Sequence, residues 1–313
     1  MSLARLFAKR IALGLTAAWI VLTSVFAAFT VSRDWILGGI QGNLQYGGAS
    51  EAQIEQRTEA YLEARGFDRP LHEQYADWLW SMTTFDWGTS LATGEPALAM
   101  VTSAAWRTAM YVLPGIVLAT LLGIGIGLYS ALEPNSPLSN VSVSTAYLLF
   151  AVPNFWLGGM LLSMSDDHFA YSPLLFEHVL PIALVASTIL GGYVSYARAH
   201  SLEYASTEFI KLVESKGAGS ITIARHILHN AAIPFLSMIF SEALALLVLA
   251  VFVIETLFGI EGFGLVFFQA IENRDLPVVL GSTLFIILVG IVGNILQDVA
   301  YTSLDPRVDT GTR

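Results

Sequence analysis

The chain has 313 residues, 55% of them apolar and 13% charged, against roughly a quarter charged in ordinary soluble domains, so it needs lipid around it. Its formal net charge of -10 argues against nucleic acid as a partner, because phosphate recognition needs the opposite sign. With no cysteine there is neither a disulfide framework nor a thiolate metal site.

A bilayer core roughly 30 Å thick takes about 20 predominantly apolar residues per helix, and six stretches meet that length. The first, residues 11–32, is bracketed by Lys9, Arg10 and Arg33. It is longer than a signal-peptide core and no small-x-small cleavage site follows it, so it reads as a retained crossing helix. Residues 33–106 are polar without being low in complexity and read as an extracytoplasmic cap. Within them Glu51, Glu55, Glu59 and Glu63 recur at four-residue spacing, the mark of one solvated helical face. Next, residues 71–82 bring Tyr75, Trp78, Leu79 and Met82 to one side of an amphipathic helix. Those aromatics either anchor at the membrane interface or pack on the ends of the crossing helices.

Five further crossings are predicted over 110–132, 141–164, 179–196, 235–254 and 278–301, which makes residues 107–313 the membrane core. The expected fold is therefore all-α and polytopic. An even number of crossings puts both termini on one side. If that side is the cytoplasm, the inner segments hold Arg5, Lys9, Arg10, Arg198, Lys211, Lys216, Arg225, Arg307 and Arg313, nine of the fifteen basic residues. The outer segments then carry most of the acids, Glu177 and Glu261 among them.

Two ionisable residues fall inside apolar segments, where a charge is expensive unless it faces water or a partner. Glu242, about two turns into the fifth crossing, either lines a solute path or is hydrogen-bonded for structural reasons; Asp298, near the end of the sixth, reads as packing or membrane-edge hydration. Gly123, Gly125 and Gly127 sit inside the second crossing with no strand before them, so they read as a helix-packing surface and not a dinucleotide site. No Gly-x-x-x-x-Gly-Lys-Ser/Thr loop and no Gly-x-Ser-x-Gly elbow in a strand-to-helix context occurs. His226 and His229 have metal-compatible spacing but no third ligand nearby, and read as polar side chains of a helix. No metal site is expected.

The stretch 200–234 is too polar to cross. Residues 203–215 and 220–230 read as helices separated by Gly217-Ala218-Gly219, and glycines there allow positive φ and a sharp turn. Such a segment either connects two crossings or presents a short helix to a partner. Lys211, Lys216 and Arg225 correspondingly serve as positive-inside anchors or as cationic contacts to a partner surface.

Glu214-Ser215-Lys216-Gly217-Ala218, followed by Arg225-His226-Ile227-Leu228-His229-Asn230-Ala231-Ala232-Ile233-Pro234, resembles the coupling loop of the dipeptide, oligopeptide and nickel branch of ABC importer permeases. The resemblance extends in order along nearly the whole chain. Upstream it includes Gly66 to Leu71, Asp86 to Leu91 and Val152 to Leu157; downstream, Val253 to Gly264, Asn273 to Val279 and Leu304 to Arg307. One departure is Leu212-Val213-Glu214-Ser215, where the family is alanine-rich. The resemblance implies a type I importer permease, not an enzyme, that binds no cofactor of its own. ATP and Mg would reside on two cytoplasmic ATPase subunits. A second, homologous permease chain, an extracytoplasmic solute-binding protein and the lipid bilayer would complete the assembly. It also implies that Lys211, Glu214, Ser215, Lys216, Gly217, Ala218, Arg225 and His226 belong to the ATPase contact, with Gly217 the residue most sensitive to a side chain. The reading set against it is a channel or secondary transporter working without ATP, which predicts paired broken helices in internal repeats. An intramembrane enzyme would need a clustered nucleophile, base or metal set.

Overall fold

The computed structural model describes residues 3–167, 172–231, 235, 239 and 251–304. The named secondary structure there is helical, apart from one isolated bridge between Thr89 and Pro96. The helices are α1 (Leu3–Val31), α2 (Trp35–Tyr46), α3 (Glu51–Ala64), α4 (Leu71–Thr84), α5 (Ala97–Leu132), α6 (Pro137–Ala151) and α7 (Asn154–Asp167). A π-helical turn, Leu174–Val179, leads into α8 (Leu180–Ala205), then α9 (Glu208–Ser215) and α10 (Ser220–Asn230). Last come α11 (Val251–Phe258), α12 (Phe263–Glu272) and α13 (Leu276–Leu304). Among the described residues four stretches are long and apolar enough to cross a membrane, and the number rises to six if each of two interrupted helix pairs is one span. The protein is thus a multi-pass membrane protein.

Residues divide into two compact units, Lys9–Ala105 with Leu265–Leu288 and Trp106–Gly264 with Met1–Ala8 and Val289–Arg313. In the former, α1 buries Ala18, Leu22 and Phe26, one residue per turn, and leaves Leu13, Leu15 and Trp19 exposed to lipid. The buried stripe meets α4: the Phe26 ring lies 5.5 Å from Trp78 and 5.6 Å from Tyr75. Tyr75 Oη accepts from Trp19 Nε1 at 2.9 Å and lies 2.9 Å from Thr23 Oγ1. Packing is therefore the role of the α4 aromatics Tyr75 and Trp78. The four glutamates of α3 are all exposed, as their spacing predicts.

The sequence pattern carries no prediction for α2, which starts because Asp34 caps it, accepting from Ile36 N and Leu37 N at 3.0 Å. The same carboxylate accepts from Tyr61 Oη at 3.0 Å. Burial pushes the Tyr61 hydroxyl up to about 12 against the opposing pull of Arg65, so it is a proton donor at any ordinary pH. Arg274 completes the knot. Its guanidinium donates to Phe29 O, Ser32 Oγ and Arg33 O at 2.7–3.1 Å, satisfying carbonyls at the end of α1, and its Nε lies 3.5 Å from Asp34 Oδ2. Replacing Arg274 by methionine leaves a largely buried carboxylate without its cation. The expected loss is about 3–5 kcal/mol, read as a lower unfolding midpoint of the solubilised protein.

Two sequence motifs meet at this point although 185 residues separate their contact atoms: Ser90 Oγ donates to Asp275 Oδ2 in a buried hydrogen bond. Trp87 of the same loop packs on Gly281, where a Cβ would strike the indole.

In the other unit α5 and α8 pack closely. A Cβ at Gly115 would lie 2.7 Å from Val185 Cγ1, one at Gly123 2.5 Å from Tyr193 Cβ, and one at Gly127 2.6 Å from Ala197 Cβ. Van der Waals contact is what holds helices together in lipid, and glycine permits that approach. Gly125, by contrast, faces open space, so the packing surface uses two of the three glycines in the run.

Three boundaries differ from the sequence expectation. The third crossing is not one rod but α6 and α7, bent by 89° at Val152-Pro153. Pro153 has no N–H to continue the ladder and holds Val152 extended, at φ -81° and ψ 123°. The helix expected over 203–215 is split, since α8 continues to Ala205 and α9 begins only at Glu208. Ser206 Oγ and Thr207 Oγ1 bond back to the Glu203 and Tyr204 carbonyls at 2.7 Å, and Thr207 is extended. Finally, the helix that includes Ile254 runs on to Phe258 and, after a short break, is followed by α12.

Candidate functional site

The segment singled out by sequence folds as two short helices folded back on the end of a long one. Ile210 from α9 and Ile223 and Ile227 from α10 are buried together against Leu128 of α5, with Tyr204, Ala205 and Ala218 around them. Each such isoleucine contributes about 1.5–3 kcal/mol of burial, so the pair is mounted on the membrane core and does not hang from it.

The turn between the helices is closed by backbone hydrogen bonds. Gly217 N donates to Glu214 O at 2.8 Å and Ala218 N donates to Val213 O at 3.3 Å, the two reversed bonds that satisfy the last carbonyls of a helix. That pattern needs a left-handed residue, and Gly217 has φ +81°. No heavy atom lies within 4 Å of where a Cβ would sit, so the requirement for glycine is conformational and not steric. Gly219 works differently: it stands before the first residue of α10 with φ -76°, and its carbonyl accepts from Thr222 N at 2.9 Å.

The remaining residues singled out by sequence divide between the buried and exposed sides of this pair. Glu214, Ser215, Lys216 and Arg225 are exposed, Ala218 is half-buried against the isoleucine cluster, and His226 sets its ring edge-on to Phe209 at 5.4 Å. Lys211 Nζ pairs with Glu208 Oε1 on its own helix at 2.8 Å. Alongside them Ile221 is 88% exposed, with Leu212 and Phe209 also open, so the outer face carries apolar as well as charged contacts. Glu242 lies outside the described residues.

A second cluster is missed by sequence reasoning. Glu255 in α11 is fully buried, and its Oε1 accepts from Thr108 Oγ1 at 2.5 Å and from Tyr111 Oη at 2.8 Å, both on α5. Thr108 Oγ1 in turn accepts from Phe263 N at 2.7 Å. Gly262 and Gly264 make room for the carboxyl: a Cβ on the former would collide with Glu255 Oε1, and one on the latter would lie 2.8 Å from Phe252 N. Gly259, with φ +65°, ends α11, and Ile260 N donates to Glu255 O at 2.9 Å. Thr108 of α5 thereby holds both Glu255 of α11 and the start of α12.

Residues 123–310 match the family described as binding-protein-dependent transport system inner membrane component. The chain is similar to the dipeptide transport system permease protein DppB of Bacillus subtilis, 30% identical over 272 residues that take in 83% of this chain and 85% of that protein. It is also similar to the oligopeptide transport system permease protein AppB of the same organism, at 26% identity over 80% of this chain and 84% of that one. The metal-staphylopine import system permease protein CntB of Staphylococcus aureus is 28% identical over 80% of this chain and 82% of its own.

Proposed function

As this chain belongs to the family of binding-protein-dependent transport system inner membrane components, we propose that α9 and α10 are the lever through which separate ATPase subunits drive its crossing helices. The observation that carries the reading is the mounting of that pair. Its inner face is buried against Leu128 of α5, while Ile221, Leu212, Lys216 and Arg225 stay open. A force applied to the exposed face is therefore delivered to a membrane helix. Lys211, Glu214, Ser215, Lys216, Gly217, Ala218, Arg225 and His226 form the contact region, with Gly217 setting its shape.

In this reading two permeases pair, this one and a related chain, and two cytoplasmic ATPases hold ATP and Mg. Closing of the ATPases on ATP draws the coupling helices together and switches the crossing helices between inward-open and outward-open, a rigid-body change driven by contacts that differ in two states. Both termini and residues 200–234 lie in the cytoplasm, while residues 33–106 form an extracytoplasmic cap facing a solute-binding protein. The solute is a peptide or a metal complex, the classes named for the relatives. Glu242 is a candidate for the solute path.

Because the chain has no cysteine of its own, single introduced thiols test this arrangement without background. In intact cells the S50C chain should react with a membrane-impermeant maleimide, and the S215C chain only after permeabilisation. A tagged wild-type chain should bring an ATPase with it through purification. Labelling of S215C from outside, or a purified complex with no ATPase, would leave a channel or secondary transporter as the better description.

A further inference from the structure

Arg107 near the start of α5, Glu177 and His178 in the turn before α8, and Phe258 and Glu261 beside the loop after α11 line one cavity of about 550 Å³. Sites for small molecules run to roughly 300–1,000 Å³, so the volume suits a solute of a few residues. Its lining carries both signs of charge. Arg107 Nη1 donates to Glu261 Oε2 at 2.9 Å and to Glu261 O at 3.1 Å, while Glu177 brings a second carboxylate.

We propose that this cavity receives a short peptide with free ends, its carboxylate on Arg107 and its ammonium between Glu261 and Glu177. The inference rests on the reading of the chain as an importer subunit and adds a solute contact to it. A zwitterion needs one cation and at least one anion in the same cavity, and a site for simple cations would have no use for the arginine. The Arg107–Glu261 pair is also easily exchanged. Its side chains are 48% and 76% exposed, and ion pairs in water contribute little. A peptide carboxylate can take the guanidinium in place of Glu261, matching its planar fork, and the released Glu261 then meets the ammonium. The Arg107 guanidinium and the Glu261 carboxylate each exchange one partner for another in this step. Ile182, Ile260 and Phe258 supply apolar surface between the two ends. The wall is held in advance by the hydrogen bonds of Glu255, so little ordering is required on binding.

The test uses the assembled importer in proteoliposomes with its partner subunits and binding protein, and three probes: trialanine, its C-terminal amide and its N-acetyl form. The binding protein is the same throughout, so the ratio of variant to wild type for each probe isolates the permease. R107Q should lower trialanine uptake about ten-fold and amide uptake less than about two-fold, because the amide has no carboxylate to lose. E177Q should spare the N-acetyl form in the same manner, and R107K should restore part of the loss. Should R107Q fail to assemble, E177Q and R107K carry the test on their own. Equal losses for all three probes, or uptake unchanged in both neutral variants, would overturn the proposal. So would a wild-type importer whose ATPase responds to the binding protein yet takes up none of the three, a result that leaves the importer reading intact. A complex without an ATPase would remove both.

Discussion

Uptake by the G217V variant is expected to fall about ten-fold or more while the chain still inserts and still binds its partners, and a graded series at this position identifies the cause. Gly217 holds φ +81° with open space where a Cβ would go. The penalty for a side chain is therefore the left-handed backbone itself, about 1–2 kcal/mol for an ordinary L-residue and more for a β-branched one. Asparagine tolerates that region. The order of remaining uptake should thus be G217N above G217A above G217V, although asparagine is far larger than alanine. A turn limited by bulk would reverse the first two. A loss of 1–2 kcal/mol shifts a two-state balance by about 5- to 30-fold, enough to decide whether two short helices stay closed over Ile210, Ile223 and Ile227. Uptake and binding-protein-stimulated ATP hydrolysis in proteoliposomes should drop together. Wild-type uptake by G217V would remove this turn from the mechanism.

What could be read beforehand follows from how local each signal is. The turn between α9 and α10 was legible because its glycine lies between two helical patterns and its hydrogen bonds span a few residues, from Val213 to Ala218. Exposure of the α3 glutamates likewise follows from periodicity along one helix. The bend at Val152-Pro153 was hidden by its own hydrophobicity, since hydropathy measures the preference for lipid and carries no information on direction. Proline was present as a signal, but crossing helices often tolerate it, as α5 does at Pro114. The split at Thr207 depends on hydroxyls competing with the helix ladder, a balance of a few tenths of a kcal/mol that pattern does not resolve. Glu255 was visible only as one letter of a motif, because Thr108 and Tyr111 stand 147 and 144 positions away. Its sole local trace is the pair of glycines at 262 and 264. Arg107 stands three residues before the predicted second crossing, and only the fold brings Glu261 to it.

The E255A variant should give a large stability loss in the Trp106–Gly264 unit. Thr108 and Tyr111 are both buried and both donate to the same carboxyl oxygen, so truncation strands two hydroxyls and empties the space between Gly262 and Gly264. A buried donor left without its acceptor costs about 1–3 kcal/mol, which puts the total at about 2–6 kcal/mol before any cavity is counted. E255Q keeps the shape and an acceptor oxygen, and should lose clearly less. The glycine supplies an independent check. In G262A the new methyl falls on the Glu255 carboxyl, so this variant alone should also be destabilised, whereas in the double variant G262A/E255A that obstacle is gone and only Thr108 Oγ1, 2.7 Å from the new Cβ, still presses on it. The two changes should then be strongly non-additive, with the double variant losing clearly less than the sum of the two single losses. Unfolding midpoints of the four purified proteins close that cycle. Additive losses would mean that the carboxyl and the glycine act separately, and that the loop bearing Phe258 and Glu261 is held by something other than Glu255. E255A should lower the midpoint and uptake together, since the wall of the cavity loses its support.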